Sequence, residues 1–336
     1  MFKTSNTKIT RRTVLGFSLS ASALSIFAAL PVHANEVSTW PERPVTLIVP
    51  FAAGGPTDVT GRIIGEGLSK IWGKSVVVEN RPGAGGTIGS GVTARAAKDG
   101  YTLVLGVTGS HGIAGALYEN LPYNPSEDFE AVAKVVLFPN AIFANPSVPA
   151  NNLQELIQLA KEDKKYQIYG TDGLGTASHL TMALLGEQAG APLEPVHYKG
   201  STPLITDVIG NFAPFGITGM PSVEPHVEAG KLKLIAITTD QDYSKKGYAT
   251  IAEQGFPDFS AAPWSGVFAP KGTPRPVIEK IATDIQAVLA TPEVISKLAS
   301  LGVTPVSITL EEFEADLKKE QQAWEHAVKT AGIERQ

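Results

Sequence analysis

The segment with the clearest chemical potential is VTLIVPFAAGGPTDVTGR, residues 45–62. It begins with an apolar run typical of a buried strand. Gly54 and Gly55 then permit a tight turn, and Pro56 and Thr57 open a predicted helix. A helix that starts after such a turn presents free N–H groups and a partial positive charge. This turn is therefore able to bind phosphate or carboxylate through its backbone alone, or it serves only as a turn.

Turns rich in Gly, Ser and Thr recur after other predicted strands. They cover residues 51–58, 108–112, 171–178, 199–202 and 219–222. Ligands of open α/β sheets bind beyond the carboxyl ends of the strands, so loops of this kind from two domains would face each other across a cleft. One such loop alone is weak support, because helix N-caps use the same residues. Together they favour a binding protein over an enzyme.

The nucleotide-binding motifs in the chain are incomplete. Gly73-Lys74-Ser75 resembles the end of a phosphate loop, but Leu68 occupies the position of its first glycine and the run precedes a strand. The run GSGVTA at residues 89–94 fits a relaxed dinucleotide fingerprint but lies inside a predicted helix. We interpret it as a helix of small residues that packs closely on a sheet.

Catalytic and metal-binding patterns are also weak. The chain has no G-x-S-x-G elbow, so an exported hydrolase would have to use Ser110, His111 and Asp58. We expect the adjacent Ser110 and His111 side chains to diverge rather than to pair. The histidines lack zinc-site spacing, and His179 is interpreted as structural. There is no cysteine, so thiolate metal sites and disulfides are excluded, and no metal or cofactor is predicted.

The elements that would position these turns alternate between strand and helix along the whole chain. This alternation predicts an α/β fold with mainly parallel, doubly wound sheets. A length of 336 residues suggests about two domains, and no fixed-period repeat is present.

The amino-terminal residues 1–34 are typical of a secretory signal peptide. A basic start is followed by an apolar stretch, Pro31, and small residues at the −3 and −1 positions of a cleavage site after Ala34. The arginine pair in TRRTVL, from Thr10, leaves both twin-arginine and ordinary Sec export open. No other stretch is long enough to span a bilayer, so we expect a periplasmic protein. The net charge of −5 argues against a nucleic acid or an anionic membrane as partner.

The order of these motifs resembles the substrate-binding proteins of tripartite tricarboxylate transporters, also called the Bug family. The matching segments are WPERPVTLIVPFAAGGPTDVTGR, VVVENRPGAGGTIG, KDGYTLVLG, YGTDGLGTASHLTMALL, VHYKGSTPLITDVIG, GVFAPKGTPRPVIEKI and EEFEADLKKEQQAW. They span nearly the whole chain that would remain after cleavage.

The resemblance implies a type II periplasmic-binding fold with two doubly wound lobes around a ligand cleft. The first lobe would be discontinuous, 36–139 with 262–336, and the second would be 140–261. The family binds small mono-, di-, tri- or aromatic carboxylates and delivers them to membrane permease subunits. The ligand-binding residues that the resemblance implies are Phe51, Gly54, Gly55, Thr57 and Asp58 in the first loop, Gly175, Thr176 and Ser178 in the second, and Ser110 and Asp207 lining the cleft.

The sequence does not name the carboxylate. Phe138, Trp264, Phe212 and Met220 are candidates for the distal wall, and Asn211 stands where the family usually has glycine. Thr176 stands where serine is commoner. We expect a monomeric binding protein that is not an enzyme. The exported hydrolase and a ligand-binding partner of a membrane sensor are the alternatives.

Overall fold

Strands and helices alternate through the part of the chain that the structure, a computed structural model, describes: residues 39–239, 247–257, 259 and 261–335. The strands are β1 Val45–Val49, β2 Val76–Asn80, β3 Thr102–Val107, β4 Phe129–Leu137, β5 Asn140–Ala144, β6 Ile168–Thr171, β7 Glu194–His197, β8 Phe215–Gly219, β9 Lys233–Ile237, β10 Trp264–Pro270 and β11 Thr304–Pro305. The helices are α1 Pro56–Trp72, α2 Thr87–Ala94, α3 Ala114–Leu117, α4 Leu153–Glu162, α5 Ala177–Ala189, α6 Ser201–Ile209, α7 Met220–Glu228, α8 Arg275–Leu289, α9 Pro292–Ser300 and α10 Leu310–Thr330. The predicted signal peptide lies outside the described residues.

These strands form two sheets. The first has the order β11-β4-β10-β3-β1-β2 and the second has the order β7-β6-β8-β5-β9. Most strands within each sheet share one direction, but β11 is antiparallel to β4, β10 is antiparallel to β3 and β4, and β5 is antiparallel to β8 and β9. Of these, β10 and β5 are the strands that arrive from the other sheet. Each enters at the carboxyl edge of its new sheet and must therefore run against its neighbours.

The two crossings between the sheets lie side by side. One connects β4 to β5 and the other connects β9 to β10. The N–H of Phe138 donates to the carbonyl of Pro263 at 2.6 Å, and the N–H of Thr238 donates to the carbonyl of Asn140 at 3.0 Å. Both crossings join carboxyl edges, so the turns that follow the parallel strands of both sheets lie on the side of the crossings. The lobe boundaries predicted from the sequence stay a prediction, which these crossings support.

Helix α10 packs against both halves of the molecule. Phe313 and Leu317 belong to a buried cluster with strands of the first sheet, whereas Trp324 belongs to the core of the second sheet. Between them, the Glu320 carboxylate accepts hydrogen bonds from the indole N–H groups of Trp264 at 2.7 Å and Trp324 at 3.2 Å. This half-buried carboxylate thus links β10, the strand that follows the second crossing, to the carboxyl half of α10.

The small-residue helix predicted around residues 89–94 is confirmed as α2. A Cβ added at Gly89 would lie 2.8 Å from the Pro50 Cβ and 2.9 Å from the Arg81 carbonyl oxygen. The glycine therefore serves close packing of the helix on the end of β1. Among the described residues, no helix combines the length and the apolar character needed to cross a bilayer.

Candidate functional site

The first loop, residues 50–58, is organised by the carboxylate of Asp58. Its Oδ2 accepts from the N–H of Gly54 at 2.8 Å and from Arg62 Nε at 3.0 Å, and its Oδ1 accepts from Asn80 Nδ2 at 2.8 Å. The same Asn80 amide also donates to the carbonyl of Phe51 at 3.0 Å. The buried Asp58 carboxylate therefore holds the turn closed through these hydrogen bonds, and it is not free to contact a ligand.

The charge of Asp58 is compensated inside the loop. Burial alone raises the pKa of Asp58, but the hydrogen bonds from Arg62, Gly54 and Asn80 and the Arg62 charge outweigh burial and leave the pKa lowered. Pro56 stands at the start of α1 and has no N–H. The next N–H groups, of Thr57 and Asp58, have no partner within the helix because they belong to its first turn. Because the Asp58 charge is paired with Arg62, the N–H groups at the start of α1 remain able to bind the anionic group of a ligand.

The second loop, residues 171–178, is organised by a carboxylate that the sequence analysis did not single out. Asp172 Oδ1 accepts from the Thr176 hydroxyl at 2.9 Å. Its Oδ2 accepts from the Thr218 hydroxyl at 2.8 Å and from the Ser178 hydroxyl at 3.3 Å. The Ser201 hydroxyl lies 2.7 Å from the Thr218 hydroxyl, so one network joins the turn after β6, the start of α6 and the carboxyl end of β8.

His179 holds the same loop from behind. Its Nδ1 accepts from the N–H of Gly175 at 3.2 Å, and its own N–H donates to the Thr176 hydroxyl, which caps α5. Burial, with a smaller effect of the neighbouring His197, lowers the pKa of His179 to about 4. The ring is thus neutral near pH 7, as an acceptor of the Gly175 N–H must be.

Two further predicted residues have hydrogen-bond partners outside these loops. Ser110 is fully buried, in the π-helical turn Thr108–Ile113, and its hydroxyl bonds to the backbone of Val107. Asp207 is half-buried on α6 and accepts from the Tyr198 hydroxyl at 2.9 Å. Their contact with a ligand stays a prediction.

The expectation that Ser110 and His111 diverge is wrong. Their Oγ and Nδ1 atoms are 2.9 Å apart. The ring fits there because Gly106 has no Cβ, which would lie 2.4 Å from His111 Nδ1. Burial lowers the pKa of His111 to about 3, which makes it a poor base at neutral pH. Asp58, the third member of the imagined triad, is bound to its own loop instead.

The candidate residues for the distal wall fall into different environments. Trp264 and Met220 are buried in the core, whereas Phe212 is 85% exposed and Phe138 is half-buried. Asn211 has φ 59°, a left-handed conformation that asparagine tolerates better than most residues. This explains how Asn211 can stand where the family usually has glycine.

Sequence reasoning missed the residues that hold the loops in place: Arg62, Asn80, Asp172, Thr218 and Ser201. Arg62 could have been found, since it lies one helical turn after Asp58. Asn80 and Thr218 lie at strand ends, Asp172 lies in the turn after β6 and Ser201 begins α6, so no local spacing connects them.

Two α/β sheets joined at their carboxyl edges, with anion-competent turns along those edges, define the class of two-lobed solute-binding proteins. Within that class, the chain belongs to the tripartite tricarboxylate transporter receptors, because residues 60–333 match the family described as "Tripartite tricarboxylate transporter family receptor". It is 35% identical over 321 residues to Protein BugT of Bordetella pertussis, with 95% of this chain and 96% of the relative covered. The resemblance predicted from the sequence is confirmed.

Solved structures of relatives confirm the fold class. A Rhodopseudomonas palustris protein solved with adipate, Rpa4515, is 33% identical with a TM-score of 0.70, and the alignment covers 88% of this chain and 100% of that one. MatC from the same species, solved with bound malate, is 30% identical with a TM-score of 0.66, over 86% of this chain and 100% of that one.

Proposed function

We propose that this chain is an exported, periplasmic receptor that captures a small organic carboxylate and delivers it to the permease subunits of a tripartite transporter. The single observation that carries the carboxylate assignment is the start of α1, where Asp58 is neutralised and the N–H groups of Thr57 and Asp58 remain for an anion. Relatives of the same family have been solved with adipate and with malate, both dicarboxylates.

We propose that the protein binds its ligand without catalysing a reaction on it. Closure of the two halves around the ligand would be the working step, because only the closed state lets both loops contact it. The low pKa of His111 gives the hydrolase alternative no base. We further propose that the protein acts as a monomer after removal of residues 1–34. A sensor partner remains the alternative to a permease, and uptake into proteoliposomes that contain the permease subunits separates the two.

A thermal-shift screen tests the ligand class. Mono-, di-, tri- and aromatic carboxylates are compared with a neutral sugar and with an inorganic cation. A ligand at about 100 times its dissociation constant adds about 2.7 kcal/mol to the free energy of unfolding, and we expect only carboxylates to do so. A melting temperature that rises with the sugar or the cation, and with no carboxylate, would refute the proposal.

A pair of isosteric variants tests the site. Thr57→Val removes a hydroxyl at the start of α1, and we expect the affinity for the carboxylate to fall by about 1–3 kcal/mol. Thr60→Val is the matched control, since Thr60 lies one turn further on, is fully buried, and has a hydroxyl without a hydrogen-bond partner. Isothermal titration calorimetry measures both affinities. Equal affinities in the two variants would show that the Thr57 hydroxyl is not part of the site.

A further inference from the structure

A cavity of about 520 Å³ lies between α5, the start of β7 and the end of α10. It extends from His179 in the first turn of α5 to Gly190, which follows the last turn, so it runs behind the second loop and away from the carboxyl edge of the sheet. We infer that this cavity is a second binding site, which takes an uncharged molecule with an apolar body and a carbonyl oxygen. The site itself does not depend on the proposed function, whereas its effect on carboxylate binding rests on that function.

Two buried side chains present polar atoms to this cavity. Tyr169 is 1% exposed, and its hydroxyl reaches the cavity without a hydrogen-bond partner among the described residues. His179 is 2% exposed, and its Nδ1 accepts from the N–H of Gly175, so its proton lies on Nε2. That Nε2–H also has no partner in the part of the chain that the structure describes. Leaving a buried donor unpaired is costly, so the two groups indicate a bound molecule that accepts from both.

The rest of the lining determines the chemistry of that molecule. Most of the wall is apolar, and it is formed by Met182, Ala183, Ala191, Pro192, Leu193 and Pro195. Among the described residues, the one carboxylate in this lining belongs to Glu187, 2.7 Å from His326 Nε2. A carboxylate in the wall disfavours an anion, and inward-facing N–H and O–H donors disfavour a cation. A carbonyl oxygen has two lone pairs and can accept from both donors at once.

His179 connects the cavity to the second loop. Its ring packs against His197, with 4.5 Å between the ring centroids, and its Nδ1 holds the N–H of Gly175. An acceptor on Nε2–H stabilises the tautomer whose Nδ1 is free to accept, and it strengthens the hydrogen bond to Gly175 by polarising the ring. A molecule in the cavity would therefore favour the loop conformation that the carboxylate needs. By linkage, a carboxylate in the cleft would raise the affinity of the cavity by the same factor.

Two uncharged probes test the site in the full-length mature protein, with no carboxylate present. Benzamide has a carbonyl oxygen and toluene has none, and neither carries the anionic group that the cleft binds. Calorimetry measures both affinities in the wild type, in Tyr169→Phe, in Ala183→Leu and in Tyr166→Phe. Ala183→Leu fills the cavity and leaves both donors in place. Tyr166 is a buried tyrosine of the same core that does not line the cavity, so its variant serves as the control.

We expect benzamide to bind the wild type at least about tenfold more tightly than toluene. Tyr169→Phe should weaken benzamide binding about fivefold to tenfold and leave toluene nearly unchanged. Ala183→Leu should weaken the binding of both probes, and Tyr166→Phe the binding of neither. If benzamide does not bind, or binds Tyr169→Phe as tightly as the wild type, the site is overturned and the two donors are hydrated only.

The coupling to the second loop has its own test. It uses a carboxylate that stabilises the protein in the thermal-shift screen. Saturating benzamide should raise the affinity for that carboxylate about fivefold in the wild type and leave it unchanged in Ala183→Leu. An unchanged affinity in the wild type overturns the coupling, although the benzamide site stands. A screen in which no carboxylate binds overturns the proposed function, while the benzamide measurements still decide the site.

Discussion

The first and second loops have the same local structure, but their aspartates, Asp58 and Asp172, accept hydrogen bonds from different kinds of donor. Both follow a parallel strand, both contain a glycine with positive φ (86° at Gly54 and 69° at Gly175), and both lead into a helix. The Asp58 carboxylate receives N–H donors and a cation, whereas the Asp172 carboxylate receives only hydroxyl groups.

The difference matters because the two kinds of donor behave differently. An N–H group can only donate, whereas a hydroxyl can rotate and accept. The donors of the first loop therefore suit only the ionised form of Asp58. The hydroxyl groups of the second loop can reorient around another charge state of its aspartate. Two similar turns in one molecule thus differ in how well they tolerate a change at that residue.

The strongest test of this comparison is to neutralise each aspartate in turn. Asp58→Asn would direct an amide NH₂ at groups that can only donate, so we expect the free energy of unfolding to fall by about 2–3 kcal/mol. Asp172→Asn should cost less than about 1 kcal/mol, because Thr176, Ser178 and Thr218 can reorient to accept. Urea unfolding measures both. Equal losses would mean that the two carboxylates are held in equivalent ways.

Acid should loosen the second loop before the first. The pKa of His179 is about 4 in the folded chain and about 6.5 when unfolded, so the unfolded chain binds the extra proton between these values. Stability is therefore complete above about pH 6.5 and falls by up to about 1.4 kcal/mol per pH unit as the pH drops towards 4. Asp58 has linkage of the same sign, but in a lower pH range. Its lowered pKa stabilises the fold above about pH 4, and this contribution is lost only as the pH falls through its still lower folded value.

His179→Gln isolates this effect, since a glutamine side chain does not titrate and its carbonyl can still accept from Gly175. Urea titrations at pH 7 and pH 5 should show a smaller loss in the variant than in the wild type. His111 is present in both proteins, so its own titration cancels in the difference. An identical pH dependence in the two proteins would show that His179 does not control the second loop.

The fold class and the backbone elements of the site could be predicted from the sequence. The apolar run of β1, the glycine pair after it and Pro56 are local signals, and they placed the first loop and α1 where the structure has them. The alternation of strands and helices likewise predicted the two α/β sheets. The reversed direction of β5 and β10 was not predicted, because it follows from the crossings and not from any local pattern.

The side-chain network of the site could not be predicted, because its contacts join residues that are distant in the sequence. Thr218 donates to Asp172 across 46 residues of chain, and Asn80 donates to Asp58 across 22. Contacts of this kind depend on which turns the sheet order brings together. The Ser110–His111 hydrogen bond likewise depends on the space that Gly106 leaves on β3, which no spacing rule for adjacent residues takes into account.

The smallest expected effect separates the two turn glycines. Both Gly54→Ala and Gly175→Ala place a Cβ on a left-handed backbone, which costs about 1 kcal/mol. At Gly54 nothing lies within 4 Å of that Cβ, whereas at Gly175 it would lie 3.1 Å from Leu117 Cδ1. We therefore expect Gly175→Ala to destabilise the protein by up to about 1 kcal/mol more than Gly54→Ala. Urea unfolding of the two variants measures the difference, and a larger loss at Gly54 would mean that the first loop, not the second, is the more tightly packed of the two.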